Sequence, residues 1–472
     1  MKNGDIRLSE DGLCMIYRVR DGMITRLFIK DDKSVCFYGE NEFWLALETD
    51  GRTALIRSRE CAAGIKKASD GSFKINFEHD LFSAEVSYKI KDAGLEFGLW
   101  FDANMGLVGL SADESSPRGG GSKFQRRSDL KQEMKDKRRG ILIAGNILTD
   151  NVKVIDGYPD RTMLANISSV SVAVGGCVPN TAIDLAKIDN SLPVGAAGRI
   201  GGDDAGRYVL SQLCDHGINT DRVIVTDEKT SFSDVMSVAS TGERTFFHYR
   251  GANAGFCPDD LPVSELDCLM LHIGYIMLLD GFDRENADFG TEMARFLHDA
   301  QAAGIKTSFD AVSDANGGYE KKIIPALKYA DNVIMNETEA CGAAGYEPRR
   351  ADGGLDLDNI KKTAEKLLAA GVSERVIIHA PEAGFILDRD GNFTAVPSLD
   401  LPDGYIKGSV GAGDAFCAGC LYGIYNGFDD KKILEFASGA AAMSLGAPDS
   451  VGGMKSADEI EALISKLPRK NL

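Results

Sequence analysis

The stretch "GSVGAGDAFCAGC", which runs from Gly408 to Cys420, places a loop of small residues directly before a helical pattern. Its glycines leave backbone N–H groups unshielded, and the apolar residues that follow recur on one helical face: Cys417, Leu421, Ile424 and Phe428. Free N–H groups and the helix dipole attract anions at a helix N-terminus. We therefore expect an anion-binding turn that also carries one carboxylate, Asp414.

The carboxylate of Asp414 has two interpretations at such a turn. It would act as a base if a nucleophile attacked a bound phosphate, because phosphoryl transfer needs positioning, charge neutralisation and a proton acceptor. It would otherwise be a helix-start residue beneath a glycine-rich turn, and a lone G-x-G-D favours that plainer role. Other motifs in the chain must decide between the two.

Cys417 and Cys420 in the same stretch form a C-x-x-C pair, which raises redox chemistry or half of a zinc site as alternatives. The chain has no second C-x-x-C, and this pair lies inside the apolar helical pattern. We therefore interpret both cysteines as core packing.

The composition is that of an ordinary globular protein with room for two or three domains: 472 residues, of which 44% are hydrophobic. A net charge of -18 disfavours partners such as nucleic acid or anionic membrane. We see neither a membrane-span pattern nor a signal peptide, and the ten cysteines are scattered. We expect a cytoplasmic protein with reduced thiols.

Three segments differ in composition. Residues 1–111 alternate apolar and polar side chains between Asp-Gly turns, which predicts a separate all-β N-terminal domain. Residues 112–139 are first rich in Ser, Pro and Gly and then densely charged, which is typical of a linker. Residues 140–472 would form the main domain.

In that main domain, a helical run ends at a glycine and an apolar run follows, three times: "LSQLCDHGINTDRVIV", "ARFLHDAQAAGIKTSFDA" and "AEKLLAAGVSERVIIHA". This alternation predicts an α/β layered fold with a mostly parallel central sheet. The segments "VKVIDGYPDRTMLANISSVSVAV" and "TSFSDVMSVASTGERTFFHYR" instead have strand spacing. We expect them to form a small antiparallel β flap that covers a site at the strand ends.

Several motifs together resemble the ribokinase-like (PfkB) carbohydrate kinases. "GSVGAGDAF" is similar to the family's C-terminal signature, and "VGGCVPNTAIDLAKI" with "GAAGRIGGDDAG" is similar to its N-terminal one. "GILIAGNILTDNVKVID" resembles its first strand, and "MNETEA" its N-x-x-E element. The resemblance runs in family order from about Gly140 to the C-terminus, which favours the base interpretation of Asp414.

The resemblance implies an enzyme that uses ATP and Mg²⁺ to phosphorylate a hydroxyl, normally the exocyclic CH₂OH of a small sugar. It implies Asp414 as general base and an anion hole formed by Gly411, Ala412 and Gly413. The acceptor would be contacted by Asp150, Gly175, Gly176 and Asn180. The nucleotide or magnesium would be contacted by Asn336, Glu339, Gly384 and Ser409. Asn336 and Glu339 would hold Mg²⁺ largely through water. It also suggests a homodimer joined through the flap.

Some of these residues have plainer roles when taken alone. Asp150 would cap a turn, Asn180 would cap the helix "TAIDLAKI", and Glu339 would be a solvated helix residue. The chain also departs from the family pattern. Gly408 stands where the signature has Asp, near a monovalent-cation site, so a potassium requirement is open.

Further departures concern the substrate and the nucleotide loop. Cys177 stands where ribokinases place Lys, which argues against ribose, and Pro381 replaces a glycine of the nucleotide loop. No Arg closely follows Asp310, which weakens an acidic sugar, although three arginines could still meet a carboxylate or phosphate: Arg199, Arg244 and Arg250.

Three other functions are weighed. A nucleoside kinase of the same fold is the nearest alternative, and a sugar-binding regulator without turnover is the next. The glycines of "GAAGRIGGDDAG" do not have the G-x-G-x-x-G spacing of a dinucleotide-binding enzyme. The role of residues 1–111 is open, since aromatic residues at strand spacing are more often core than carbohydrate-binding.

Overall fold

A computed structural model describes residues 138–472 apart from 242 and 314–317, and in residues 1–137 it describes only the backbone of strands. The chain divides into two compact units, Met1–Lys137 and Arg138–Leu472. Most of the predicted linker, 112–137, lies outside the described residues. The three-segment division therefore stays a prediction.

The strands described in the first unit pair antiparallel in three sheets, ordered β1-β2-β3-β4, β10-β9-β8-β7 and β11-β5-β6. Their bounds are β1 (Gly4–Glu10), β2 (Leu13–Arg20), β3 (Met23–Asp31), β4 (Cys36–Tyr38), β5 (Trp44–Thr49), β6 (Arg52–Arg57), β7 (Ala62–Lys67), β8 (Phe73–His79), β9 (Phe82–Lys91), β10 (Gly94–Asp102) and β11 (Gly106–Ser111). An all-β domain stays a prediction, because the connecting segments lie outside the described residues.

A nine-stranded sheet forms the centre of the second unit. Its order is β16-β15-β12-β19-β22-β23-β24-β25-β26, with bounds β12 (Ile141–Gly145), β15 (Val194–Gly201), β16 (Asn219–Thr226), β19 (Met270–Ile276), β22 (Lys306–Ala311), β23 (Asn332–Asn336), β24 (Arg375–His379), β25 (Ala383–Asp388) and β26 (Phe393–Pro397). In this order the seven strands from β16 across to β24 are parallel, and β25 runs antiparallel to both of its neighbours, β24 and β26. Two short strands, β20 (Glu285–Asn286) and β21 (Gly290–Thr291), pair antiparallel outside this sheet. The predicted mostly parallel sheet is confirmed.

Helices cover both faces of this sheet. They are α1 (Cys177–Ile188), α2 (Asp204–Asp215), α3 (Glu292–Ala302), α4 (Tyr319–Leu327), α5 (Glu337–Ala344), α6 (Leu357–Ala369), α7 (Ala412–Tyr425), α8 (Asp430–Leu445) and α9 (Ala457–Lys466). The three predicted helix-to-strand units are present as α2-β16, α3-β22 and α6-β24. Within the described residues, no helix is both long and apolar enough to cross a membrane.

The sheet is buried on both faces, as β12 illustrates. Ile141 and Ile143 belong to one buried cluster, which includes side chains of α1, α7 and α8, and Leu142 and Ala144 belong to another, under α3 to α6. Successive side chains of a strand point to opposite faces, so a continuous apolar run suits a strand buried on both sides. This explains why β12 reads "ILIAG" without alternation.

The predicted flap is a separate four-stranded sheet of order β14-β13-β17-β18, with bounds β13 (Leu148–Ile155), β14 (Ile167–Gly175), β17 (Ser231–Val238) and β18 (Arg244–Tyr249). Its outer pairs are antiparallel, but β13 and β17 are parallel. The flap is therefore mixed, not antiparallel as predicted. The chain passes through α1, β15, α2 and β16 between β14 and β17, and a crossover of this length permits a parallel pair.

Candidate active site

Asp414 lies in the first turn of α7, where the main sheet presents the carboxyl ends of its strands. Its carboxylate accepts hydrogen bonds from Asn180 Nδ2 at 2.9 Å and from the Tyr275 hydroxyl at 2.8 Å. Burial and, next, the charge of the neighbouring Asp310 raise the pKa of Asp414 to about 7, although the two hydrogen bonds oppose the rise. A carboxyl with this pKa can exchange a proton near neutral pH.

Asn180 owes its orientation to Ser450. The Ser450 hydroxyl lies 2.8 Å from Asn180 Oδ1 as donor, which leaves the Asn180 amide nitrogen to donate to Asp414. Helix α1 begins at Cys177 with Gly176 as its N-cap residue, so Asn180 lies inside the helix. The alternative that Asn180 caps the helix is therefore wrong, and its buried side chain faces the carboxylate instead.

The N-terminus of α7 opens to solvent beside Asp414. Gly411 is the N-cap residue with φ 80°, and a Cβ atom there would lie 2.6 Å from Ser450 Cβ, so both conformation and space require glycine. Ala412 and Gly413 begin the helix, where N–H groups have no intrahelical acceptor. The ring of His379, at the end of β24, lies close to Gly413. The predicted anion-binding turn thus has the local geometry of one.

Asp150 is carried by the flap strand β13 and is buried. Burial and, next, the charge of Asp414 raise the pKa of Asp150 to about 7, although Arg244 opposes the rise. A Cβ atom on Gly175 would lie 2.5 Å from Asp150 Oδ2, so glycine is needed on β14 for this side chain to fit. Asp150 is therefore a strand residue facing the Asp414 side of the molecule, and the turn-cap alternative is wrong.

Asn336 and Glu339 form a reciprocal cap at the start of α5. The Asn336 side chain accepts the backbone N–H of Glu339, and Glu339 Oε2 accepts the backbone N–H of Asn336 at 3.1 Å. Asn336 Nδ2 and the Ser313 hydroxyl both donate to Glu339 Oε1, at 2.7 and 3.0 Å. Glu339 is buried, so the alternative of a solvated helix residue is wrong.

The oxygen donors of this cap fit a magnesium ion that keeps most of its waters. Burial, with a contribution from the charge of Asp310, raises the pKa of Glu339 to about 8, although hydrogen bonds from Asn336 and Ser313 oppose the rise. A nearby cation would favour the charged carboxylate instead. The charge of Asp310 raises the pKa of both Glu339 and Asp414, so its carboxyl group is near enough to influence both.

Two groups of the site were not predicted as site residues. Tyr275 follows Gly274 at the end of β19, and a polar side chain after a buried run at this sheet edge was the signal that could have found it. Ser450 lies in a loop before α9, far from any motif, and sequence carried no signal for it. Both act by orienting groups around Asp414.

The remaining predicted residues are Gly384 and Ser409. A Cβ atom on Gly384 would meet Leu434 and Phe416, at 2.9 and 3.0 Å, so the structure gives Gly384 a packing role and its nucleotide contact stays a prediction. Ser409 is exposed in the loop before α7. Gly408 packs against the carbonyl groups of residues 447 and 448.

Known proteins similar in sequence to this chain include sugar kinases. A 5-dehydro-2-deoxygluconokinase of Geobacillus thermodenitrificans is 25% identical over 307 residues, covering 62% of this chain and 85% of that protein. An ATP-dependent ribose-1-phosphate kinase of Halopiger xanaduensis is 24% identical over 329 residues, covering 69% of this chain and 98% of that protein.

The fold is that of solved ribokinase structures. Arabidopsis thaliana ribokinase, complexed with ribose and ATP, matches with a TM-score of 0.57 and 20% identity, covering 69% of this chain and 99% of that one. This confirms the predicted ribokinase-like α/β fold for the second unit. The sequence model of the pfkB family carbohydrate kinases matches residues 142–456. The chain therefore belongs to the pfkB family of carbohydrate kinases.

Proposed function

We propose that this carbohydrate kinase transfers the γ-phosphate of ATP to an exocyclic CH₂OH of a small sugar or sugar derivative, with Asp414 as general base. The observation that carries the proposal is the position of Asp414. Its buried carboxylate is oriented by Asn180 and Tyr275 and lies at the open N-terminus of α7. A proton acceptor and a set of N–H donors therefore face the same space.

Each group has a defined task in the transfer. The acceptor hydroxyl gives its proton to Asp414 while its oxygen attacks the γ-phosphorus, and the bond from phosphorus to the bridging oxygen of ADP breaks. The N–H groups of Gly411, Ala412 and Gly413 hold the oxygens of the phosphoryl group in transit. Mg²⁺, when bound, neutralises phosphate charge, and Asn336 and Glu339 would hold it through water.

The acceptor would lie between the flap and α1. Asp150 and Asn180 can pair with sugar hydroxyls, and Gly175 and Gly176 permit close approach of the backbone. Because Asp150 belongs to β13, closure of the flap over an acceptor would bring this carboxylate to it. Binding of the acceptor and exclusion of water would then be one event.

Among the three candidate arginines, Arg244 is best placed to meet an anionic group of the acceptor. Arg199 pairs with Asp260 at 2.7 Å, and Arg250 pairs with Asp280 at 2.9 Å. Within the described residues Arg244 has no such pair, and its buried Nη1 has no hydrogen-bond partner. The names of both relatives denote anionic substrates, which supports a sugar acid or sugar phosphate.

A panel of acceptors tests this proposal. The purified full-length chain is mixed with Mg-ATP and one acceptor at a time, and ADP release is measured for neutral sugars, sugar acids, sugar phosphates and nucleosides. We expect the highest kcat/KM with an anionic sugar. The highest value with a nucleoside would instead favour a nucleoside kinase, and binding of sugars without ADP release from any acceptor would favour a silent regulator.

A homodimer joined through the flap is part of the proposal. Large apolar side chains of the flap are exposed, with 64% of Val170 on β14 and 57% of Phe247 on β18 accessible. A second copy would cover this apolar surface. Sedimentation should show a dimer that Phe247→Asp disrupts, whereas a wild-type monomer would refute the proposed dimer.

The proposed cytoplasmic location is based on the sequence alone. Any role proposed for residues 1–111 has the same basis.

A further inference from the structure

A thiol, an imidazole and a carboxyl group converge in the core near Asp414. Cys177 begins α1, His272 lies on β19 and Asp310 lies on β22, and their ligand-type atoms are all within 4.8 Å of one another. Cys177 and His272 are fully buried, and Asp310 is 7% exposed. A fourth buried side chain, Cys417 of α7, places its Sγ 3.4 Å from His272 Nε2.

Two spacings measured from His272 Nε2 are close to the edges of a zinc tetrahedron. Zinc binds thiolate at about 2.3 Å and imidazole or carboxylate at about 2.0 Å, so two ligand atoms lie about 3.3–3.8 Å apart. His272 Nε2 lies 3.4 Å from Cys417 Sγ and 3.7 Å from Asp310 Oδ2. A mixed Cys, His and Asp set is also chemically suited to zinc.

Asp310 contributes an unsatisfied atom that points to a missing partner. Its Oδ1 is buried and, within the described residues, has no hydrogen-bond partner. A Cβ atom on Gly274 would lie 1.9 Å from Asp310 Oδ1 and 2.8 Å from Cys177 Sγ. The absence of a side chain on Gly274 therefore lets these two atoms approach the same point. A buried carboxylate oxygen without a partner is costly unless a cation or proton satisfies it.

The hydrogen bonds of His272 prepare its other nitrogen as a ligand. Nδ1 lies 2.9 Å from the Ser308 hydroxyl, and this hydroxyl donates to the Leu271 carbonyl at 3.4 Å. Ser308 therefore accepts from Nδ1–H, which leaves a lone pair on Nε2. That lone pair faces Cys417 and Asp310, and such outer hydrogen bonds are typical of metal-bound histidines.

From this geometry we propose that Cys177, His272 and Asp310, with Cys417 as fourth ligand, bind one Zn²⁺ ion in the core. The site is distinct from the magnesium position at Asn336 and Glu339, and it does not depend on the proposed kinase reaction. The ion joins the first turn of α1, the second turn of α7 and two strands of the sheet. Because Cys417 follows Asp414 by one helical turn, the ion also fixes the turn that carries Asp414.

The first experiment measures zinc bound to the full-length chain. Protein produced in zinc-supplemented medium is dialysed against metal-free buffer and analysed by mass spectrometry for metals, as wild type, Cys177→Ser, Asp310→Asn and the control Cys420→Ala. Cys420 is a buried cysteine on the same helix whose substitution leaves the four ligands in place. We expect about one zinc per chain in wild type and control, and at least about a tenfold loss in the other two variants.

A second experiment uses only the wild-type protein, so its result does not depend on whether the variants fold. Wild-type protein freed of zinc is titrated with Co²⁺, which should produce thiolate-to-cobalt charge-transfer absorption and the intense bands of a tetrahedral ion. Zinc content that is equal in wild type and Cys177→Ser would overturn the proposal. A wild type without zinc that also gives only weak octahedral cobalt bands would overturn it too, and would leave the cluster as a metal-free polar core.

Discussion

Replacement of Tyr275 by Phe removes one hydrogen bond from the proposed base and little else. The Tyr275 hydroxyl donates to Asp414 Oδ1 at 2.8 Å, and the Asn180 amide donates separately to Oδ2. Phe keeps the ring, so packing around β19 should be preserved. The substitution therefore tests whether the ionisation of Asp414 limits the reaction.

The magnitude follows from the strength of a hydrogen bond to a charged group. Such a bond contributes about 1.5–3 kcal/mol, and one pKa unit corresponds to about 1.36 kcal/mol, so the loss raises the pKa of Asp414 by about 1–2 units. Starting from a pKa of about 7, the ionised fraction at neutral pH falls from about one half to about 1–10%. We expect kcat/KM at neutral pH to fall about 5- to 50-fold and to recover at higher pH.

The assay is the pH dependence of kcat/KM, measured as ADP release with the best acceptor of the panel. The rise of activity with pH should move to higher pH in Tyr275→Phe. The control is Tyr425→Phe on the helix that also carries Asp414, because the Tyr425 hydroxyl accepts the backbone N–H of Gly140 at 3.2 Å instead. An unshifted pH profile in Tyr275→Phe would refute the reasoning, whatever the change in rate.

Three further predictions concern the ion, the acceptor and stability. Glu339→Gln should keep the helix cap but raise the Mg²⁺ concentration for half-maximal rate about 10–100-fold; an unchanged requirement contradicts the water-mediated role. Arg244→Gln should raise the KM for anionic acceptors by a factor about 10–100-fold larger than its effect on the KM for neutral acceptors. The control Arg207→Gln, at an exposed arginine, should not show this difference. Because the folded chain keeps a proton on Asp414 that the unfolded chain loses above about pH 4, this residue lowers stability as pH rises to about 7. Asp414→Asn should therefore raise the melting temperature, more at about pH 8 than at about pH 5; no increase contradicts the raised pKa.

The architecture of the second unit followed from local patterns. Runs that end in glycine before a β-branched stretch predicted α2-β16, α3-β22 and α6-β24, because both helix caps and buried parallel strands have local signals. Period-2 spacing identified the flap strands. It could not predict that β13 pairs parallel with β17, since pairing direction depends on where the chain returns after a long crossover.

The site was predictable where motifs coincide and not where the fold alone brings residues together. Asp414 and Asn180 were found by motif, although they are 234 positions apart and meet at 2.9 Å. Tyr275 and Ser450 act on these two residues through side chains that no motif contains. The convergence of Cys177 with His272 likewise depends on the packing of α1 against β19, which spacing within the sequence does not express.

The central claim is that Asp414 removes the proton of the acceptor hydroxyl, and Asp414→Asn tests it most directly. The asparagine keeps the size of the side chain but cannot accept this proton. We predict a loss of about 10²–10⁴-fold in kcat, with acceptor binding, measured by thermal shift, retained. The control is Asp429→Asn, which replaces an exposed helix-cap residue by another good cap and should leave kcat unchanged. Wild-type kcat in Asp414→Asn would contradict the account.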